Sequence, residues 1–204
     1  MGKPKKHYDP DRAAARRKQV LDAAEACFLR HGFHGTSMAA ISQAAGMSVG
    51  HIYNYFQSKE VVIAAMCERQ MARLLARFQD MAASRERFVG ELKAILRERI
   101  AEEADAGCGA LTRDIQAELG RNDVLTRAIQ DFDRRIREKL REVCRLHAPE
   151  LPERTIAARV EILLVLLNSY GLRGIVSPDI DRDAYTEEID GLIETLFPDR
   201  IKQR

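Results

Sequence analysis

The chain has 204 residues, 46% hydrophobic and 31% charged, with a formal net charge of +2, enough apolar material for one large or two small cores. Its longest apolar run, residues 162–167, falls far short of the roughly 20 residues that cross a bilayer, so no membrane partner is expected. Cys27, Cys67, Cys108 and Cys144 stand singly, which argues against a zinc site and a disulfide framework and reads as reduced, packed thiols of a cytoplasmic protein.

Charge is unevenly placed. Residues 1–60 carry nine Lys and Arg against five Asp and Glu, whereas the other 144 residues carry 24 against 26. A basic N-terminal end suits phosphate contacts. Residues 1–8 form a basic arm in which Lys3, Lys5 and Lys6 either touch a phosphate or the minor groove or are simply solvated. No hydrophobic stretch follows that start, so no secretory signal is expected.

Asp9-Pro10-Asp11 is a helix start, with a capping Asp, Pro at the first helical position and an acid in the first turn. The helix is expected to run to about His31, burying Val20, Ala24, Cys27 and Phe28. Arg16, Arg17 and Lys18 lie near its start, within reach of a nucleic-acid backbone. Gly32 closes it as a glycine cap, with Phe33 as the apolar anchor.

Residues 36–59, TSMAAISQAAGMSVGHIYNYFQSK, read as two short helices joined by a tight turn. Thr36 or Ser37 caps the first, and Met38, Ile41 and Ala45 form its apolar edge. Gly46 supplies the turn, Met47 packs back between the helices, and Ser48 caps the second. At about 100° per residue, Val49, Ile52, Tyr53 and Phe56 fall on one arc of residues 48–56. Ser48, Gly50, His51, Asn54 and Tyr55 fall on the other. That second arc carries hydrogen-bonding groups without full charge, which suits base edges and their flanking phosphates better than bulk water. The pattern is a helix-turn-helix with residues 48–56 as recognition helix.

Gly46, Met47, Ser48, Gly50, Ile52, Tyr53, Tyr55, Phe56, Ser58, Lys59 and Glu60, with Ala23, Ala24, Phe28, Gly32, Phe33, Thr36, Ser37 and Ile41 upstream, resemble the DNA-binding signature of the tetracycline-repressor-like (TetR/AcrR) regulators. The likeness covers about residues 16–65. Two positions depart from it: Ser42, where the family usually has Ala, and Val49, where a basic or polar residue is frequent. The resemblance implies an N-terminal three-helix DNA-binding domain, residues 1–57, and a larger helical effector-binding and dimerisation domain, residues 58–204. It implies that Ser48, Val49, Gly50, His51, Asn54 and Tyr55 face bases or adjoining phosphates. It further implies that Tyr53 and Lys59, with Thr36 or Ser37, hold the backbone. The wheel alone half-buries Tyr53.

The rest of the chain reads as helices throughout, so the fold class is all-α. Ser58 caps a long fourth helix with Val62, Met66, Leu74, Leu75, Phe78 and Met81 inward. Residues 84–104 form another helix, broken by Gly107-Cys108-Gly109 before a short helix carrying Leu111, Ile115 and Leu119. Asn122 or Asp123 caps the next, whose Arg134, Arg135, Arg137, Lys139 and Arg141 read as a solvated, ion-paired face. A strongly apolar helix is expected from Thr155 to about Arg173, and a last one from about Arg182 to Phe197. Two such terminal helices suit a symmetric four-helix dimer interface.

The function these residues and the resemblance imply is a sequence-specific transcriptional regulator. It would act as a repressor dimer on near-palindromic double-stranded DNA, released by a small-molecule effector. Met66, Phe88, Cys108, Ile115, Phe132 and Asn168 are candidates for the effector pocket, and each is equally a core candidate. No cofactor, metal site or catalytic constellation is expected: the histidines have no ligand spacing, and no nucleophile stands with a base. The alternative is a helical scaffold that binds protein partners without sequence-specific DNA binding.

Overall fold

A computed structural model describes residues 10–177 and 179–198, with the backbone alone for Ala106 and residues 168–175. Lys3, Lys5, Lys6 and Asp9, and the side chain of Asn168, lie outside the described residues. Among these residues the chain forms nine helices. They are α1 (Pro10–Gly35), α2 (Met38–Ala44), α3 (Val49–Tyr53), α4 (Lys59–Met81) and α5 (Arg85–Ala104), followed by α6 (Ala106–Glu118), α7 (Asp123–His147), α8 (Glu153–Val176) and α9 (Arg182–Leu196).

Local signals start most of them. Ser37, Ser48, Ser58 and Ser84 each accept an amide proton three residues on, from Ala40, His51, Val61 and Arg87. Asn122 caps α7 by accepting from the amides of Val124 and Leu125. Such caps satisfy otherwise orphan N–H groups.

Three boundaries differ from the sequence-based expectation. α1 does not simply stop at Gly32: that residue breaks the helix (φ 70°, ψ 176°) and a last helical turn follows to Gly35. The Gly107-Cys108-Gly109 run does not interrupt helix. It forms the first turn of α6, because Asp105 accepts from the amides of Gly107 and Cys108. A Cβ on Gly107 would stand 2.6 Å from the Leu29 carbonyl oxygen, so the glycine lets α6 lie directly on α1. α8 continues past Gly171 and Gly174 to Val176; a helical glycine costs only about 1 kcal/mol relative to Ala, too little to stop a long helix.

Two apolar cores result. The first joins Val20, Leu21, Ala24, Cys27, Phe28 and Phe33 of α1 to Ile41, Ala45, Ile52 and Phe56. It also takes in Val62, Ile63 and Ala65 of α4, Leu111 of α6 and Leu125 of α7. Residues on both sides of position 57 thus share this core. The second core is made by α4, α5, α7, α8 and α9 around Phe78, Met81, Phe88, Leu140, Val160 and Ile193. At its far end Phe88 stacks on His147 with ring centres 5.1 Å apart and meets Phe197 edge-on at 4.9 Å. His147 Nε2 lies 2.7 Å from the Met81 carbonyl oxygen.

α4 belongs to both cores and is braced along its length. The Arg69 guanidinium forks to Asp22 and Glu25 of α1, each at 2.6 Å. Glu68 pairs with Arg135 of α7 at 2.9 Å, and Arg77 with Glu91 and Glu98 of α5 at 2.8 and 2.5 Å. The basic face of α7 is ion-paired, and its pairs reach other helices: Arg135 pairs with Glu68 of α4, and Arg137 with Glu161 of α8 at 2.8 Å.

Candidate nucleic-acid interface

α2 and α3 are held by what lies behind them. Ile41, Ile52, Phe28 and Phe56 are fully buried, each worth about 1.5–3 kcal/mol by removal from water. Gly46 makes the turn with φ 61°. Two bonds close that turn: the Met47 amide donates to the Ser42 carbonyl at 3.0 Å, and the Ser42 hydroxyl donates to the Met47 carbonyl at 2.7 Å. An alanine at position 42 could not make the second bond. Gln19 of α1 donates to the Ala45 carbonyl at 2.7 Å, and the Arg17 guanidinium lies 4.4 Å over the Phe56 ring while donating to the Tyr55 carbonyl. These contacts fix the pose of α3 against α1.

The outward face of α3 is open. Ser48, Val49, Gly50, His51, Tyr53 and Asn54 are exposed, Val49 by 40% and Tyr53 by 49%. A Cβ on Gly50 would meet nothing within 4 Å. No lysine, arginine or acid interrupts this face, so its chemistry is hydroxyl, imidazole, amide and methyl. Ser37, at the start of α2, is also exposed.

Three of the expected contact residues are engaged within the protein. Thr36 is withdrawn from the surface: it is 2% exposed and its hydroxyl donates to the Gly32 carbonyl at 2.8 Å, tying the α1–α2 corner. Lys59 turns inward, because its ammonium donates to the Phe33 carbonyl at 2.8 Å and the Thr36 carbonyl at 3.4 Å and lies 4.2 Å over the Phe33 ring. Its sign at the start of α4 needs no external phosphate. Tyr55 is half-buried against the N-terminal core, with its hydroxyl 3.3 Å from His51 Nε2. The wheel put Tyr53 in and Tyr55 out because it assumed helix through residue 56. α3 ends at Tyr53, and Asn54 and Tyr55 turn by three-residue bonds to His51 and Ile52, so the 100° step no longer applies.

The effector-pocket candidates do not converge. Met66 and Ile115 pack on the N-terminal core, Phe88 and Phe132 on the C-terminal one. Cys108 is half-buried beside Asp105 at the start of α6. A shallow cleft of about 250 Å³ lined by Asp80, Arg87, Gly90 and Glu91 involves none of them. Periodicity marks an inward face but not which of two cores it meets. Among the described residues, no group of three or more His, Cys, Asp and Glu could hold a metal ion, and no helix is long and apolar enough to cross a membrane.

A three-helix head whose capped third helix faces outward, carried on a body of longer helices, has the helix-turn-helix arrangement. Residues 20–66 match the model of the bacterial regulatory proteins of the tetR family. It is 35% identical over 86 residues to the HTH-type transcriptional repressor Rv1474c of Mycobacterium tuberculosis, a match covering 42% of this chain and 43% of that protein. It is 41% identical over 64 residues to the HTH-type transcriptional regulator UidR of Escherichia coli K12, covering 31% of this chain and 33% of that protein. These matches span less than half the length of either relative. The fold extends further: a putative transcriptional regulator of Pseudomonas aeruginosa PAO1 superposes with a TM-score of 0.71 at 21% identity, covering 93% of this chain and 91% of that one.

Proposed function

We propose that the protein is a sequence-specific DNA-binding transcriptional regulator, acting as a repressor that a small-molecule effector releases from its operator. The observation that carries this reading is the face of α3: Ser48, Val49, Gly50, His51, Tyr53 and Asn54 are exposed together on a helix whose back is wholly buried. Such a face can present donors and acceptors to base edges, while Ser37 and Tyr53 stand at its margin for phosphates.

The operator is a near-palindrome read by a homodimer. In this reading α8 and α9 form the dimer interface; Ile162 and Val165 of α8 are 41% and 64% exposed, and Leu192 of α9 is 37% exposed. Two α3 helices would then enter successive major grooves about 34 Å apart. The effector sits among the C-terminal helices and acts by binding one separation of the heads better than another, shifting the population by that difference alone. A cytoplasmic location follows from this role.

Salt-dependent binding separates this function from a protein-binding scaffold. Full-length protein is titrated into a labelled random-sequence duplex at rising salt. The proposal expects affinity to fall steeply, with a log–log slope reflecting several phosphates per dimer. A protein that binds no duplex even at low salt is not a DNA reader.

A further inference from the structure

Phe33 is gripped from two sides. α1 breaks at Gly32, so the Phe33 amide has left the helical ladder and needs another acceptor. It donates to Oδ2 of Asp114 in α6 at 2.8 Å. The carbonyl of the same residue accepts from Lys59 of α4 at 2.8 Å. A Cβ on Gly32 would stand 2.7 Å from Asp114 Oδ2. Residue 32 therefore lacks a side chain both for its positive φ and for the place of this carboxylate.

α6 meets the same stretch of α1 at two further points. Gly107 lies against the Leu29 carbonyl, and Glu118 Oε1 stands 3.5 Å from His34 Nε2. Positions 107, 114 and 118 share one helix face by their spacing of seven and four. The Gly107 contact is simple packing, and His34 is largely exposed, so its pairing with Glu118 is weak. Asp114 is the contact that holds the backbone of the head by a charge-assisted bond. α6 also packs on α5, α7 and α8, so a shift among those helices reaches the α1–α2 corner through this carboxylate.

We propose that Asp114 is the positioning residue through which the C-terminal helices place α2 and α3, and so set the half-site spacing that the protein accepts. This rests on the DNA-reading function above. With Asp114 and Lys59 both bound to Phe33, the corner follows α6 and α4 together. Without Asp114 the amide turns to water and the corner pivots on Lys59 alone.

The test uses full-length wild type, Asp114→Ala and Asp114→Asn. Each is bound to duplexes carrying the half-sites recovered by selection from a random pool, set at the recovered spacing and at shorter and longer ones. Amide exchange of residues 32–38 is followed without DNA. For Asp114→Ala we expect that exchange to quicken about tenfold and the preference for the recovered spacing to shrink about tenfold. Affinity for a single half-site stays unchanged, which a merely structural defect would not allow. A folded Asp114→Ala variant with the wild-type spacing preference overturns the proposal. Should that variant not fold, Asp114→Asn, which keeps an acceptor without the charge, is expected to lose about threefold in spacing preference, and an unchanged preference is equally decisive against it. A wild type that recovers no consensus sinks the DNA reading itself, a failure visible before any variant is compared.

Discussion

The ammonium of Lys59 lies 2.8 Å from the carbonyl oxygen of Phe33 and 4.2 Å from the centre of its ring. A second carbonyl, that of Thr36, lies at 3.4 Å. Lys59 therefore works inside the protein, joining the start of α4 to the α1–α2 corner. Replacing it by Ala should cost about 1–2 kcal/mol of stability, since the lysine is half-buried and its bonds are charge-assisted. Urea unfolding measures this. An unchanged midpoint together with weakened DNA binding would show that the ammonium serves a phosphate instead.

Gly50 separates stability from recognition. It lies in α3, and a Cβ there meets nothing within the protein. Gly50→Ala should therefore stabilise the fold by about 0.5–1 kcal/mol, as helical Gly→Ala exchanges do at compatible positions. The same methyl would stand on the proposed DNA-reading face, so affinity for the recovered operator should fall. A variant that gained stability and kept full affinity would move the DNA away from this part of α3.

His51 and Tyr53 should fail differently. His51→Ala removes a group that can contact a base edge, and should relax preference at one or two positions by about 1–3 kcal/mol per base pair. Its loss also frees the Tyr55 hydroxyl, 3.3 Å away. Tyr53→Ala removes a phosphate contact and should weaken all sequences alike. Competition among single-base variants of the operator distinguishes the two patterns; identical profiles for both would mean that the roles are wrongly divided.

Stability should fall at both ends of the pH scale. Asp22 is held below its ordinary value of 3.8 by Lys18 first and then Arg69, and Asp131 by Arg134. The amides of Cys108 and Gly107 lower Asp105, and Arg145 lowers Glu153 from 4.5. Groups with depressed folded values contribute above their unfolded pKa and lose that contribution as pH falls through the folded one. At the other end, burial pushes the Cys67 thiol up to about 11 and Cys144 to about 12, from 9.0. Their neutral forms favour the fold until the unfolded thiols ionise above that ordinary value. Urea midpoints should be flat between about pH 5 and 8 and decline on either side. Constant midpoints down to pH 3 would show that these carboxylates are no better held than in the unfolded chain.

The order of helices was legible because it is written locally. Ser37, Ser48, Ser58 and Asn122 each cap within three residues of themselves, and the inward stripes recur at helical spacing. What escaped the sequence depends on partners far along the chain. Gly107 reads as a breaker until Leu29 is seen against it. Nothing local to Lys59 announces that its ammonium meets the Phe33 carbonyl. Tyr53 and Tyr55 exchange burial because α3 is only five residues long. The fork from Arg69 to Asp22 and Glu25 joins residues more than forty positions apart, and no local pattern announces it.

The central claim is that α3 of a dimer reads base sequence, and its most direct test is selection. Purified protein is incubated with a pool of random duplexes at near-physiological salt, and the retained DNA is sequenced. The account predicts a near-palindromic consensus of two half-sites whose centres lie about one helical turn apart. Retention without a consensus, or no retention, would contradict it and leave the helical body as a surface for protein partners.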